Sequence, residues 1–237
     1  MKAIILAGGK GSRLQPITMT IPKPLLPLGN KAIIEDIIHK LKGHGFDEFI
    51  VCTGYLSEYI TAYCGDGSKW GVKINYFKEE KPLGTAGPLA FIREEIEHER
   101  AILVMNGDIY TDLDYSKLLD YHLTHDHQMT IACKLHTYTS PFGNLSLDED
   151  NRVLNIIEKP VYQSHINTGI YVMDPGLVRE IPRHQSFGMD QLIQRLISRK
   201  IKIGAYRVNE FWLGIENING FEEAIERLND VEKKISL

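Results

Sequence analysis

Three cysteines in 237 residues (Cys52, Cys64 and Cys133) are too few and too widely spaced for a disulfide framework, and none takes the Cys-x-x-Cys spacing of structural zinc sites. A reducing compartment suits them, and the expectation is a cytoplasmic protein. Long apolar runs are missing too. No stretch approaches the ~20 residues that cross a bilayer. The opening run of residues 1–7 turns to Gly8-Gly9 before it reaches the length of a signal peptide's apolar segment. Charge of one sign is also scarce: 27 Lys+Arg against 31 Asp+Glu leave a net −4, no footprint for nucleic acid or an anionic membrane. Linker-like Pro/Ser tracts, internal repeats and low-complexity runs do not occur, which points to one continuous domain spanning residues 1–237.

What is present is a globular composition, 43% hydrophobic and 24% charged, with length enough for one α/β domain. In the first half, residues 3–6, 49–52, 72–77 and 101–105 read as strands. Residues 32–41, 58–63 and 88–96 carry helical spacing between them. That alternation demands parallel pairing and right-handed crossovers, so the expected fold is a Rossmann-like, doubly wound, mostly parallel sheet. The second half is less regular. Strands are expected at 130–133, 145–147, 153–157, 169–172 and 203–208, with helices at 190–197 and 221–228, as a mixed extension over a ligand cleft.

The first strand runs into Leu6-Ala7-Gly8-Gly9-Lys10-Gly11-Ser12-Arg13-Leu14. Ligands of open parallel sheets bind beyond the strands' carboxyl ends, and glycines there let backbone N–H groups approach phosphate oxygens. A dinucleotide fingerprint fails because Leu14 stands where the third glycine belongs, and a Walker loop fails because no Gly-Lys-Ser/Thr follows. What does follow is Arg13, Pro16 and Pro22-Lys23-Pro24: one permanent cation and one lysine, held near the loop by proline-stiffened backbone.

Residues Leu6 to Pro27 read LAGGKGSRLQPITMTIPKPLLP. This segment resembles the signature LAGGxGxRLxPxTxxxPKPxxP of the sugar-1-phosphate nucleotidyltransferases. Further matches fall in the family's order at Pro82-Leu83-Gly84-Thr85-Ala86-Gly87, Asn106-Gly107-Asp108, Glu158-Lys159-Pro160 and Asn167-Thr168-Gly169-Ile170-Tyr171. The spelling is most similar to the branch that uses GTP with mannose-1-phosphate or heptose-1-phosphate.

The resemblance implies attack by a sugar-1-phosphate oxygen on the α-phosphorus of a nucleoside triphosphate, with Mg²⁺ as cofactor. It implies catalytic roles for Arg13, Lys23 and Asp108, with Asp108 on the metal. Nucleotide contacts fall to Leu6, Ala7, Gly8, Gly9, Gly11, Ser12, Glu79, Gly84 and Thr85. Sugar-phosphate contacts fall to Gly107, Gly143, Glu158, Lys159, Asn167 and Thr168. Residues 1–111 would form mainly the nucleotide half, and 112–237 mainly the sugar-phosphate half. Glu79 stands where the family reads the base. A carboxylate only accepts, and guanine offers two adjacent donors against one for uracil or thymine, which favours GTP.

One position departs from the pattern. The family's second metal-binding Asp, in a Trp-Leu-Asp-Ile-Gly-like segment, is Gly214 here, within Phe211-Trp212-Leu213-Gly214-Ile215-Glu216. Glu216, Glu210 or water and phosphate are the candidates to replace it. The alternatives are the same reaction with UTP or dTTP, and a weakly active or regulatory nucleotide-sugar-binding paralogue. A homodimer is compatible with the sequence, and no β-helix extension is expected after residue 228. His122, His125 and His127 read as a polar turn, and Tyr110, Tyr115 and Tyr121 as a packed face.

Overall fold

A computed structural model describes residues 1–235. The first half contains β1 (Lys2–Ala7), the minimal hairpin β2 (Pro27–Leu28) and β3 (Lys31–Ala32), and α1 (Ile33–Gly43). It continues with β4 (Glu48–Thr53), α2 (Ser57–Cys64), β5 (Lys73–Lys78), α3 (Arg93–Ile96), β6 (Ile102–Asn106) and β7 (Ile109–Thr111). The second half holds α4 (Tyr115–Thr124), β8 (Met129–Thr139), β9 (Asn144–Leu147), β10 (Val153–Ile157) and β11 (Val161–Met173). It closes with α5 (Met189–Ser198), β12 (Ile203–Arg207), β13 (Trp212–Gly214) and α6 (Ile218–Ile235).

Seven strands form the central sheet in the order β12-β8-β11-β6-β1-β4-β5. β6, β1, β4 and β5 pair in parallel, and β11 runs antiparallel between β6 and β8. The expected mostly parallel, Rossmann-like sheet is therefore what the chain adopts. Its central strands read as continuous apolar runs because both faces are covered. Ile5, Phe49 and Leu103 face one core with α1, whereas their neighbours Ile4, Ile50 and Val104 face the other with α5. In α1, Ile33, Ile34, Ile37, Ile38 and Leu41 make the buried stripe; Glu35 and Asp36 sit in its first turn and Lys40 and Lys42 in its last, complementing the helix dipole.

Several expectations need correction. The helix expected over residues 88–96 is a 3₁₀ turn, Gly87–Ala90, followed by the single α turn of α3. Leu89, Phe91 and Glu95 each donate their N–H to the carbonyl three residues back, so the segment takes mostly 3₁₀ rather than α bonds, and just before it Ala86 and Gly87 donate to the Phe187 carbonyl. The strand expected at 169–172 is the buried end of the 13-residue β11. The β7–β13 pair had no periodicity to betray it, being three residues a side. His122 is not a solvated turn residue. It is 3% exposed, with Nδ1 3.0 Å from the Thr130 hydroxyl and Nε2 3.6 Å from Asp174. Burial, the largest effect, holds its pKa below the ordinary histidine value against the attraction of Asp174. Tyr110 and Tyr115 are core residues as expected. Among the described residues, no helix is long and apolar enough to cross a membrane.

Candidate active site

The carboxyl ends of β1 and β6 open into a cavity of about 310 Å³ whose lining comes entirely from residues 6 to 108. Leu6, Ala7, Gly8, Gly9 and Gly11 form one wall, Glu79, Gly84 and Thr85 another, and Lys23, Gly107 and Asp108 the floor. Eleven of the residues singled out by sequence thus converge. Pro24, Pro82, Pro88 and Asn106 also line the cavity and were not singled out. The signal was available for Pro24, Pro82 and Asn106, which belong to quoted motifs, while Pro88 directly follows one.

Backbone geometry explains the glycines. Gly11 has φ +60°, and its carbonyl accepts from the Leu14 N–H at 2.9 Å and the Thr18 hydroxyl at 2.8 Å, which curls the loop. A Cβ on Gly8 would stand 2.3 Å from Glu79 Oε1, so the missing side chain is what admits that carboxylate. Gly84 combines φ +78° with a Phe187 carbonyl 2.7 Å from where a Cβ would sit. Gly84→Ala should therefore destabilise the fold by about 2 kcal/mol, the sum of left-handed strain and displaced backbone. A thermal melt within a degree of the parent would refute that.

Lys23 enters on a 3₁₀ turn started by Pro22, and its Nζ lies 2.5 Å from Asp108 Oδ2, both side chains being largely shielded. Asp108 follows the tight Gly107, whose N–H donates to the Leu6 carbonyl at 2.9 Å. Across from it, β13 brings Gly214 opposite Ile109, and the Ile215 N–H donates to the Asp108 carbonyl at 2.9 Å. A Cβ on Gly214 would make only ordinary contacts, the nearest being Trp212 at 3.5 Å. Arg13 and Ser12 do not line the cavity. Arg13 forms an exposed ion pair with Glu216, a pair too solvated to hold either partner firmly.

Glu79 is half-buried, and its Oε2 accepts the Leu83 N–H at 2.8 Å. Burial raises its pKa above the ordinary carboxylate value, with the Leu83 hydrogen bond opposing. Thr85 Oγ1 accepts the Met189 N–H at 2.8 Å and anchors the start of α5, which leaves its O–H as a donor on the cavity wall.

The proposed sugar-phosphate residues do not line this cavity, Gly107 excepted. The Thr168 hydroxyl donates to the Ala132 carbonyl at 2.6 Å and is buried. Asn167 donates to the Tyr171 hydroxyl at 2.8 Å and lines a second, shallower hollow with Cys133, His165 and Arg207. Gly143, Glu158 and Lys159 lie on the arm made by the outer parts of β8 and β11. There Glu158 Oε2 would be 2.7 Å from a Cβ on Gly143.

A glycine loop at the end of the first strand, facing a lysine–aspartate pair across one cavity, is an α/β arrangement suited to phosphate groups. The nucleotidyl transferase family profile matches residues 2–231, and the chain belongs to that family. It is 33% identical over 242 residues to a UTP–glucose-1-phosphate uridylyltransferase of Synechocystis sp., covering 95% of this chain and 62% of that protein. It is 32% identical over 216 residues to a mannose-1-phosphate guanylyltransferase of Mycobacterium tuberculosis, covering 89% of this chain and 59% of that one. The chain thus spans about three fifths of the length of these curated relatives. Among solved structures, HddC from Yersinia pseudotuberculosis superposes with a TM-score of 0.74 at 26% identity, covering 96% of this chain and 99% of that one; HddC has also been solved complexed with GMP-PN.

Proposed function

We propose that the protein transfers a nucleoside monophosphate from a nucleoside triphosphate, GTP in preference, to a manno-configured sugar 1-phosphate, releasing pyrophosphate. The observation that carries this is the joint placement of the glycine loop, Lys23 and Asp108 around one cavity. A sugar-phosphate oxygen forms the new bond to the α-phosphorus as the bond to the pyrophosphate oxygen breaks. The nucleophile is already an anion, so no general base is needed, and catalysis reduces to positioning and charge neutralisation. Lys23 balances the α-phosphate, and Arg13 leaves Glu216 for the departing pyrophosphate.

Asp108 fits Mg²⁺, which takes one or two carboxylates with phosphate oxygens and water rather than an all-protein cage. Among the described residues, no group of three or more His, Cys, Asp or Glu side chains is placed to hold a metal ion. When bound, the ion supplies charge neutralisation on the phosphates. Gly214 itself has no side-chain ligand atom, and Glu216, the nearby carboxylate, pairs with Arg13 while Arg13 is free of pyrophosphate. Gly214→Asp, for which there is room, should lower the Mg²⁺ concentration needed for half-maximal rate about tenfold. An unchanged metal dependence would mean that water and phosphate already complete the shell.

Guanine is favoured because Glu79 is acceptor-only and because HddC has been crystallised with GMP-PN. The uridylyltransferase relative keeps UTP as the second reading. Pyrophosphate release with Mg²⁺, five nucleoside triphosphates and a panel of sugar 1-phosphates separates them. Release with GTP and a manno-configured sugar supports the proposal, and release with UTP or dTTP alone removes the guanine assignment. Silence with every pair, nucleotide sugar still binding, would make the chain a binding paralogue.

A further inference from the structure

Beyond the sheet, β8 and β11 pair only with each other, from residues 134 to 166, and the hairpin β9–β10 is carried between them. In that hairpin Leu145 stands opposite Ile156 and Leu147 opposite Val153, with the register shifting between Val153 and Asn155. Opposed residues share a face, so these four side chains make one apolar face, while Asn144, Ser146 and Asn155 turn to the other with Ile157. Such amphipathic pairing belongs to a sheet with one side covered. Here the four are 54%, 61%, 51% and 60% exposed in the order named. A two-stranded hairpin wet on both faces is marginal in water. Among the described residues, eleven of the seventeen exposed large apolar side chains lie between residues 135 and 162, so the exposure is concentrated on this arm.

We propose that the arm is the contact surface of a homodimer, its apolar face packing on the same face of a second copy about a two-fold axis. Size supports it. At on the order of 100 Å² apiece, the four side chains supply about 400 Å² of apolar area, in keeping with an interface that buries ~800 Å² per partner and is roughly half apolar. Charge supports it too. The arm carries Lys134, Arg152 and Lys159 against Asp148, Glu149, Asp150 and Glu158, nearly neutral, with three of the acids at the hairpin turn. Two copies therefore meet without like-charge repulsion across the apolar pairs, whereas nucleic acid or an anionic membrane would require a basic face. An isologous contact also closes on itself and leaves no apolar face for further addition.

Sedimentation velocity on the full chain tests this without any catalytic readout, so it stands or falls separately from the proposed reaction. A dimer is expected at ~50 μM. The L145E/I156E variant should sediment as a monomer, while S146E/N155E, on the polar face, should remain dimeric. A monomeric parent overturns the proposal, and so does a dimer that survives L145E/I156E. Should that variant fail to fold, a spin label on E149C at the hairpin turn replaces it, since Cys52, Cys64 and Cys133 are buried. One resolved interspin distance is expected; no dipolar coupling between copies overturns the proposal.

Discussion

Lys23→Ala lowers kcat/KM for pyrophosphate release about 10³-fold, a loss of about 4 kcal/mol of transition-state stabilisation. Lys23 is the one cation among the residues lining the cavity. Its ammonium is placed by proline-flanked backbone and is largely withdrawn from solvent, so water screens its charge only weakly. Water entering the vacated space reproduces little of that charge's field, because it must reorient during the reaction. The loss should fall mostly on kcat, since charge on the transferred group is redistributed in the transition state rather than in the bound substrate. A loss below tenfold in a protein with the parent's thermal melt would remove Lys23 from the chemistry. If the variant melts early, the measurement is repeated at a temperature where it is folded, and the same threshold applies.

The second large effect concerns the base. Glu79→Gln should lower kcat/KM with GTP about 10²-fold while changing that with UTP less than tenfold. The substitution keeps the shape and the space against Gly8, but it puts an amide N–H₂ where guanine presents donors of its own, and a facing pair of donors leaves both unpaired. Equal losses for GTP and UTP would show that Glu79 shapes the pocket without reading the base. The parent adds a pH signature. Burial raises the Glu79 pKa, so GTP recognition, which needs the carboxylate, weakens as pH falls through that raised value, and the KM for GTP climbs on the acid side. In the glutamine variant that climb disappears. The linkage to stability has the opposite sign. A folded-state pKa above the unfolded one means the native state holds its proton longer. The Glu79 contribution then favours folding below the unfolded pKa and is lost as pH rises through the folded one.

Much of the site was legible because its parts are local. The glycine loop, the Pro22-Lys23-Pro24 stiffening and Asn106-Gly107-Asp108 each encode their own backbone path, and the sheet brings their ends together as a parallel α/β topology must. Arg13 was legible as a cation but not as the partner of Glu216, 203 residues away along the chain. The hydroxyls of Thr85 and Thr168 looked available for ligand. Only the packed structure shows the Thr168 hydroxyl engaged by the Ala132 carbonyl, and the Thr85 oxygen accepting the Met189 N–H while its O–H stays a donor on the cavity wall. Gly143 and Glu158 do lie side by side, and the arm that carries them could not be foreseen from strands as short as 145–147.

By itself the sequence determined the sheet's central strands, the amphipathic α1 and the glycine-bounded phosphate loop. Hydrophobic periodicity and glycine or proline stereochemistry act within a few residues and need no distant partner. The tertiary structure alone decided three things: the docking of Ala86 and Gly87, just before the segment expected to be helical, on the Phe187 carbonyl, the placement of Gly214 beside the Asp108–Ile109 edge, and the outward turn of the arm's apolar face. Each depends on a contact between segments remote in sequence, where a hydrogen bond or a strand register, not local propensity, sets the lower free energy.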